Sequence, residues 1–311
     1  MDDYNKYKYK DKWERRSSIR TRPRKSIDFN ESGFFFPVSK QAFLMLPELL
    51  ELDYMQKTEI SIHLFRKYLH DVSNEELKIV NIACNHLIAN DLIIKFPEYM
   101  KLDAFTIILD EYYHVYIGED LLDQLDNQFP NLQTLIMPLP DTYNAMIQTK
   151  QRIDSKYEGV MNIVAACIFE TSIVSELLTF FDNEEIHPSI KHYINTHLND
   201  EARHHVFFTE LLSYTWKSLP EEYKEVIGLN LADFVMLYLD VESEKSYNTE
   251  LLSMLLNDKD KALRLIEDIY GGFTINKELP LVKNVLTLFE KTGLLNCKFV
   301  NEGLKKSNLL C

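Results

Sequence analysis

Apolar residues recur at intervals of three and four along most of this chain, the spacing that lines one face of a helix. A lead-in over residues 39–52, punctuated by Pro37 and Pro47, precedes the first long run. Ile60, Leu64, Tyr68, Leu77, Val80, Cys84 and Leu87 predict helix over 54–90. A break near 71–73 is expected within it, because Ser73-Asn-Glu-Glu76 has the form of a capping box. A second helix is predicted over about 102–125, then a proline-marked connection over 129–141. A third helix covers 156–181, a fourth runs from His187-Pro188 to about 219, and a fifth from Pro220 to about 240. Two further amphipathic stretches follow at 259–270 and 281–294, and no run alternates long enough for a strand. The pattern predicts an all-α domain of long helices.

Composition narrows the chemistry. Only 8 of 311 residues are glycine, few for a fold rich in turns, and no Gly-rich phosphate loop is present, which argues against nucleotide-dependent reactions. The net charge of −14 is unevenly spread. Residues 1–28 hold ten Lys or Arg and five Asp or Glu, a net of +5; the remaining 283 carry 24 basic and 43 acidic residues, a net of −19. The first 28 residues are therefore expected to be a basic, solvated and partly disordered arm, with 29–311 a single helical domain. An acidic body makes nucleic acid a poor partner. No apolar run of about 18 residues and no signal-like stretch stands out, which favours a cytoplasmic protein with no membrane association. Cys84, Cys167, Cys297 and Cys311 lack CxxC spacing and read as reduced thiols.

The histidines carry the sharpest signal. His187, His192, His197, His204 and His205 lie within 19 residues, and His197-Leu-Asn-Asp200-Glu201-Ala-Arg-His204 puts His197, Glu201 and His204 on one helix face. The second predicted helix carries Asp110-Glu111-Tyr-Tyr-His114, so Asp-Glu-x-x-His occurs twice, 90 residues apart. A single Glu-x-x-His is commonly an exposed pair; two copies in apolar helices are much harder to assign to chance. Glu170 sits in an almost wholly apolar third helix, where an unpaired carboxylate costs several kcal/mol of desolvation. Glu76 is the fourth carboxylate, 35 residues before Glu111, with Glu75 as its neighbouring rival and Glu176 as the rival to Glu170. His205, His192, His187 and His86 are expected outside the site. One Glu from each of two helices and Glu-x-x-His from each of two others is the ligand set of a ferritin-like di-iron bundle, here with extra C-terminal helices. So many carboxylates suit iron or manganese better than zinc. Asp110 and Asp200, each one residue before a Glu and four before a His, are placed to accept the imidazoles' other N–H.

At these positions the sequence resembles the p-aminobenzoate N-oxygenase family of non-haem di-iron enzymes. The order lone Glu, Asp-Glu-x-x-His, Glu in an apolar helix, His-x-x-x-Glu-x-x-His is met by Glu76, Glu111, His114, Glu170, His197, Glu201 and His204. The resemblance covers about 47–212, and His197, absent from a plain ferritin-like site, is its most specific element. It implies an oxidoreductase with two iron ions and O₂ as co-substrate, oxygenating an amine toward a hydroxylamine or nitro product. With no flavin, nicotinamide or Fe–S motif in the chain, electrons are expected from an external donor or reductase. The expected partners are thus a small-molecule amine and that donor, with a homodimer left open. A di-iron C–H hydroxylase or desaturase and a non-enzymatic iron-binding bundle remain the competing readings, because ligands do not name substrates.

Overall fold

The computed structural model describes residues 8–21, 24–172 and 174–310. Helix α1 (Lys8–Arg16) and the short α2 (Ser18–Thr21) open it, followed by 3₁₀ turns over 38–49. Helix α3 (Tyr54–Glu75) starts on a reciprocal cap: Gln56 N–H donates to Asp53 Oδ1 (2.8 Å), and Asp53 N–H to Gln56 Oε1 (3.0 Å). It continues through a π turn at Glu76–Val80 into α4 (Asn81–Ala89), which stops at Asn90 with φ 54°. The break expected near 71–73 is therefore absent. Glu76 N–H bonds the carbonyls of Val72 and Ser73, so the helix is already under way there and Ser73-to-Glu76 caps nothing. Apolar positions on both sides of Ser73 demand the same buried face, and that demand outweighs a local capping pattern.

Then come α5 (Glu98–Gln128), α6 (Asp141–Lys150), α7 (Ser155–Ser172), α8 (Val174–Phe181) and α9 (Pro188–Ser218). The helix expected over 156–181 is thus two helices, and α6 follows directly on the proline-marked connection. The C-terminal set is α10 (Glu221–Tyr238), α11 (Glu242–Leu256), α12 (Lys259–Tyr270), α13 (Pro280–Thr292) and α14 (Lys298–Lys306). Among the described residues the sole β contact is an isolated bridge between Phe34 and Ile186. No helix among them is long and apolar enough to cross a membrane. Helices α10 and α14 cross closely at Gly228 and Gly303; a Cβ on Gly228 would sit 3.1 Å from Phe299 Cβ and from Val300 N.

The bundle is formed by α3 with α4, α5, α7 and α9, and every residue of α7 from Gly159 to Ser172 is buried. One apolar cluster joins α4, α7 and α9 to α10, α13 and α14, and a second lies between α3, α5 and α9 at the other end. Three helices change cluster at the same level. Leu69 and Ile79 on either side of Glu76, Ile107 and Ile117 around Glu111, and Leu198 and Phe207 around Glu201 belong to opposite clusters. The acidic and histidine positions form a polar layer between two dry ones.

The N-terminal expectation needs correction. Residues 8–16 and 18–21 are helical, Trp13, Ser17 and Ser18 are buried, and α1 and α2 pack against α5 and α9. Further along, Ile27 joins the second cluster while Arg24 pairs with Asp120 at 2.6 Å. The charge imbalance read as a solvated tail instead docks a basic segment on an acidic body. Residues 1–7, 22 and 23 of that arm lie outside the described residues.

Candidate metal centre

Glu76 sits at the start of the π turn, Glu111 and His114 on α5, Glu170 near the end of α7, and His197, Glu201 and His204 on α9. All seven are buried, none more than 7% exposed. They converge as two groups: Glu76, His114, His197 and Glu201 in one, and Glu111, Glu170, Glu201 and His204 in the other, with donor atoms within 4.8 Å of one another in each. Two carboxylates span both groups. Glu201 Oε1 lies 3.0 Å from His197 Nε2 and its Oε2 3.3 Å from His204 Nδ1. Glu111 Oε2 lies 3.1 Å from His114 Nδ1 and its Oε1 3.0 Å from His204 Nδ1. Glu76 Oε1 serves the first group, 3.4 Å from His197 Nε2, and Glu170 Oε2 the second, 3.6 Å from His204 Nδ1. The arrangement is lopsided, with two imidazoles on one side and one on the other.

Behind these donor atoms, the two aspartates exchange helices. Asp200 on α9 places Oδ2 3.3 Å from His114 Nε2 on α5, and Asp110 on α5 places Oδ2 3.5 Å from His204 Nε2 on α9. Each aspartate thus faces the histidine of the opposite helix rather than its own. Arg203 Nη2 donates to both, at 3.2 Å to Asp110 and more closely to Asp200. The N-terminal segment closes the network: Trp13 Nε1 donates to Asp110 Oδ1 (2.8 Å) and Ser18 N–H to Asp200 Oδ2 (3.2 Å). Tyr193 OH lies 3.4 Å from His197 Nδ1.

The donor set fits two cations. Glu76 Oε1 and Oε2, Glu111 Oε1, Glu170 Oε2, Glu201 Oε1 and His204 Nδ1 are buried without a hydrogen-bond partner, the condition native interiors avoid. Glu111 Oε1 and His204 Nδ1 are 3.0 Å apart, yet neither has a hydrogen-bond partner. Six buried carboxylates, counting Asp110 and Asp200, face one guanidinium, that of Arg203. Two divalent ions would bring the layer within one charge of neutrality. Burial first, then the neighbouring carboxylates, push the Glu76 and Glu170 carboxyls well above the usual range. Burial acts the same way on Glu201, but the His204 imidazole beside it prevails and holds it low. At His114 burial disfavours the cation, and the Asp200 and Glu111 contacts overcome it and raise the imidazole.

The other candidates fall elsewhere. Glu75, the neighbour of Glu76, is buried but turned to accept from Thr142 Oγ1. The side chain of Glu176 lies outside the described residues. His187 stacks on Phe35 with ring centroids 5.3 Å apart, His86 meets Asp91 at 3.0 Å, and His192 meets Lys25 at 3.0 Å. His205 is half-buried, outside both groups. Trp13, Ser18 and Arg203 were not expected in the network. A signal existed for the first: Tyr9, Trp13 and Ser17 recur every four residues in otherwise charged text, and Tyr9 packs on Phe207 with centroids 5.8 Å apart.

One cavity adjoins the layer, and a larger one continues from it. The inner one, of about 180 Å³, is lined by Glu76, Glu170, His197 and Glu201 together with Phe169 and Leu177. The outer one, of about 720 Å³, lies between α3 and the α11–α12 pair. Residues 13–252, three-quarters of the chain, match the family described as p-aminobenzoate N-oxygenase AurF, and the protein belongs to that family. No curated protein matches the chain individually.

Proposed function

We propose that this member of the p-aminobenzoate N-oxygenase family is a di-iron monooxygenase that oxygenates the nitrogen of a small amine with O₂. The observation that carries the reading is the pair of donor groups joined by Glu111 and Glu201, with a cavity large enough for an organic group lined by their open sides. Two ferrous ions, when bound there, would supply the O₂-reducing chemistry that side chains lack. The balance is R–NH₂ + O₂ + 2 H⁺ + 2 e⁻ giving R–NHOH + H₂O, with the two electrons drawn from an external reductase.

The chain's own residues then have defined tasks. Glu76, His114 and His197 would hold one ion and Glu170 and His204 the other, with Glu111 and Glu201 placed within reach of the histidines of both groups. Asp110 and Asp200 accept the Nε2 protons of His204 and His114, which leaves each Nδ1 lone pair facing inward. The apolar wall of α7 excludes water from that side of the layer. A storage bundle has no use for an organic-sized cavity at its metal groups, so the inner cavity favours an enzyme.

Ferrous loading followed by metal analysis is expected to give two irons per chain; one iron, or a site that takes only zinc, overturns the reading. Aerobic turnover of the loaded, reduced protein with a panel of amines under isotopic O₂ is expected to yield hydroxylamines carrying one labelled oxygen. Labelled alcohols or desaturated products would instead establish C–H oxidation, and iron oxide formation without organic product a storage role.

A further inference from the structure

The inner and outer cavities meet at Tyr68, Asp71 and Glu75, which line both. Asp71 and Glu75 are one helical turn apart on α3, so both face the passage. At about 180 Å³ the inner cavity has room for roughly one six-membered ring, since a cavity of about 150 Å³ admits benzene. Glu76, with both oxygens buried and unpartnered, stands at its far wall. Whatever reaches the metal groups by this route passes Asp71, which is paired with Lys67, and Glu75, whose carboxyl is pushed up to about 8 by burial.

The outer cavity extends the same chemistry. Asp141, Asp240 and Glu244 join Asp71 and Glu75 on its walls, against two lysines. Neither lysine is free to greet an anion. Lys67 pairs with Asp71 and donates to Ser243 Oγ (3.0 Å), and Lys40 donates to the carbonyls of Thr179 (2.6 Å) and Phe180 (2.7 Å). Burial, and then the charge of Asp240, push the Asp141 carboxyl up to about 6, as expected in an enclosure short of positive charge. Aromatic faces complete it, among them Phe36, Tyr68, Phe180, Tyr238 and Tyr270. Carboxylates interleaved with aromatic rings favour an ammonium ion through charge-assisted hydrogen bonds and cation–π contacts. The same walls repel a carboxylate.

Resting on the N-oxygenase reading, we propose that the substrate is an amine that enters as its ammonium ion past Asp71 and Glu75, its reacting end no bulkier than one ring and without an acid group. The nitrogen gives up that proton before it is oxygenated, so the balance becomes R–NH₃⁺ + O₂ + H⁺ + 2 e⁻ giving R–NHOH + H₂O. An anionic aminobenzoate is thereby disfavoured, although the family's name refers to one.

The test is binding, not turnover. Calorimetry on the full-length, iron-loaded protein under anaerobic conditions at neutral pH would compare benzylamine, its uncharged isostere benzyl alcohol, and p-aminobenzoate. Benzylamine is expected to bind at least about tenfold more tightly than either, the factor that about 1.4 kcal/mol of charge pairing gives. In Asp71→Asn, a half-buried position, the preference for benzylamine over benzyl alcohol is expected to fall about tenfold. Freed Lys67 should at the same time strengthen p-aminobenzoate binding. Tighter or equal binding of p-aminobenzoate by the wild type overturns the proposal, as does equal binding of benzylamine and benzyl alcohol. An unchanged preference in Asp71→Asn overturns the part given to the passage. No oxygen is consumed in the experiment, so cationic-amine binding stands or falls independently of whether the nitrogen is the atom oxidised.

Discussion

Replacing Asp200 by Asn keeps the volume of a fully buried side chain and removes its charge. All of its hydrogen-bond partners are N–H groups. Oδ2 takes Ser18 N–H at 3.2 Å and faces His114 Nε2 at 3.3 Å, while Oδ1 takes Arg203. A carboxylate satisfies both sides, whereas an amide has one acceptor oxygen and one NH₂ group. Whichever way the substituted amide turns, a donor meets a donor, and at least one buried partner is left unpaired at a cost of about 1–3 kcal/mol each. If the lost partner is His114, its Nε2 proton is no longer held and the Nδ1 lone pair is no longer fixed toward the centre. At 1.4 kcal/mol per decade this corresponds to roughly a 10–100-fold loss of iron affinity. Anaerobic competition for ferrous iron against a chelator gives the affinity, and circular dichroism checks that the helices persist. Mössbauer spectra separate the two irons, and the disturbance is expected at the one held by His114 and His197. Wild-type affinity in a folded Asp200→Asn protein would refute the assigned role. A disturbance confined to the His204 iron would refute the exchange of aspartates between α5 and α9.

Three further outcomes follow from named contacts. His197→Ala is expected to stay folded and keep iron, because six ligand candidates remain, yet to lose at least about tenfold in oxygenated product; full product yield would show that His197 is no part of the centre. Trp13→Phe removes the donor to Asp110 Oδ1 and should lower stability by about 1 kcal/mol, a fall in Tm of about 2 °C by calorimetry, with faster proteolysis before residue 28; an unchanged Tm and cleavage pattern would mean the segment is not held by that bond. Burial, assisted by the Arg66 charge, lowers the His63 pKa to about 4, and neither ring nitrogen has a partner. The unfolded chain therefore binds more protons between about pH 4 and about pH 6.5, so stability is present above that window and is lost as pH falls through it. The slope is at most about 1.4 kcal/mol per pH unit, and urea unfolding at both ends should show it reduced in His63→Gln; equal slopes in both proteins would remove His63 as the cause.

Much of the candidate centre was legible along the chain because the placing of donor side chains on a helix face obeys a local rule. Glu111 with His114, and Glu201 with His197 and His204, share faces through intervals of three and four, and no tertiary information is needed to see it. Glu170 stood out because the helix around it is apolar on every side, so its charge had to be met by something buried. The all-helical character followed from periodicity in the same way. The choice between Glu75 and Glu76 was a different matter. It turns on the π turn at Glu76–Val80, a single wide turn that leaves no trace in hydrophobic spacing.

The sequence by itself determined which side chains share a helix face, since that depends only on the pitch of the backbone. What lies opposite a face depends on how helices pack, and only the tertiary structure decided it. The spacing of Asp110 and Asp200 pairs each with an imidazole of its own helix, while packing gives each the histidine across the bundle. The basic segment read as solvated because its charges dominate its composition. Its docking depends on Trp13, Ser18 and Arg24 finding acidic groups about 100 to 180 residues away in the chain. Arg203, one of several charged residues on α9, became the shared counter-charge of two aspartates only when α5 came alongside. Local periodicity specifies the candidate ligands; contacts between distant segments specify what holds them in place and what can reach them.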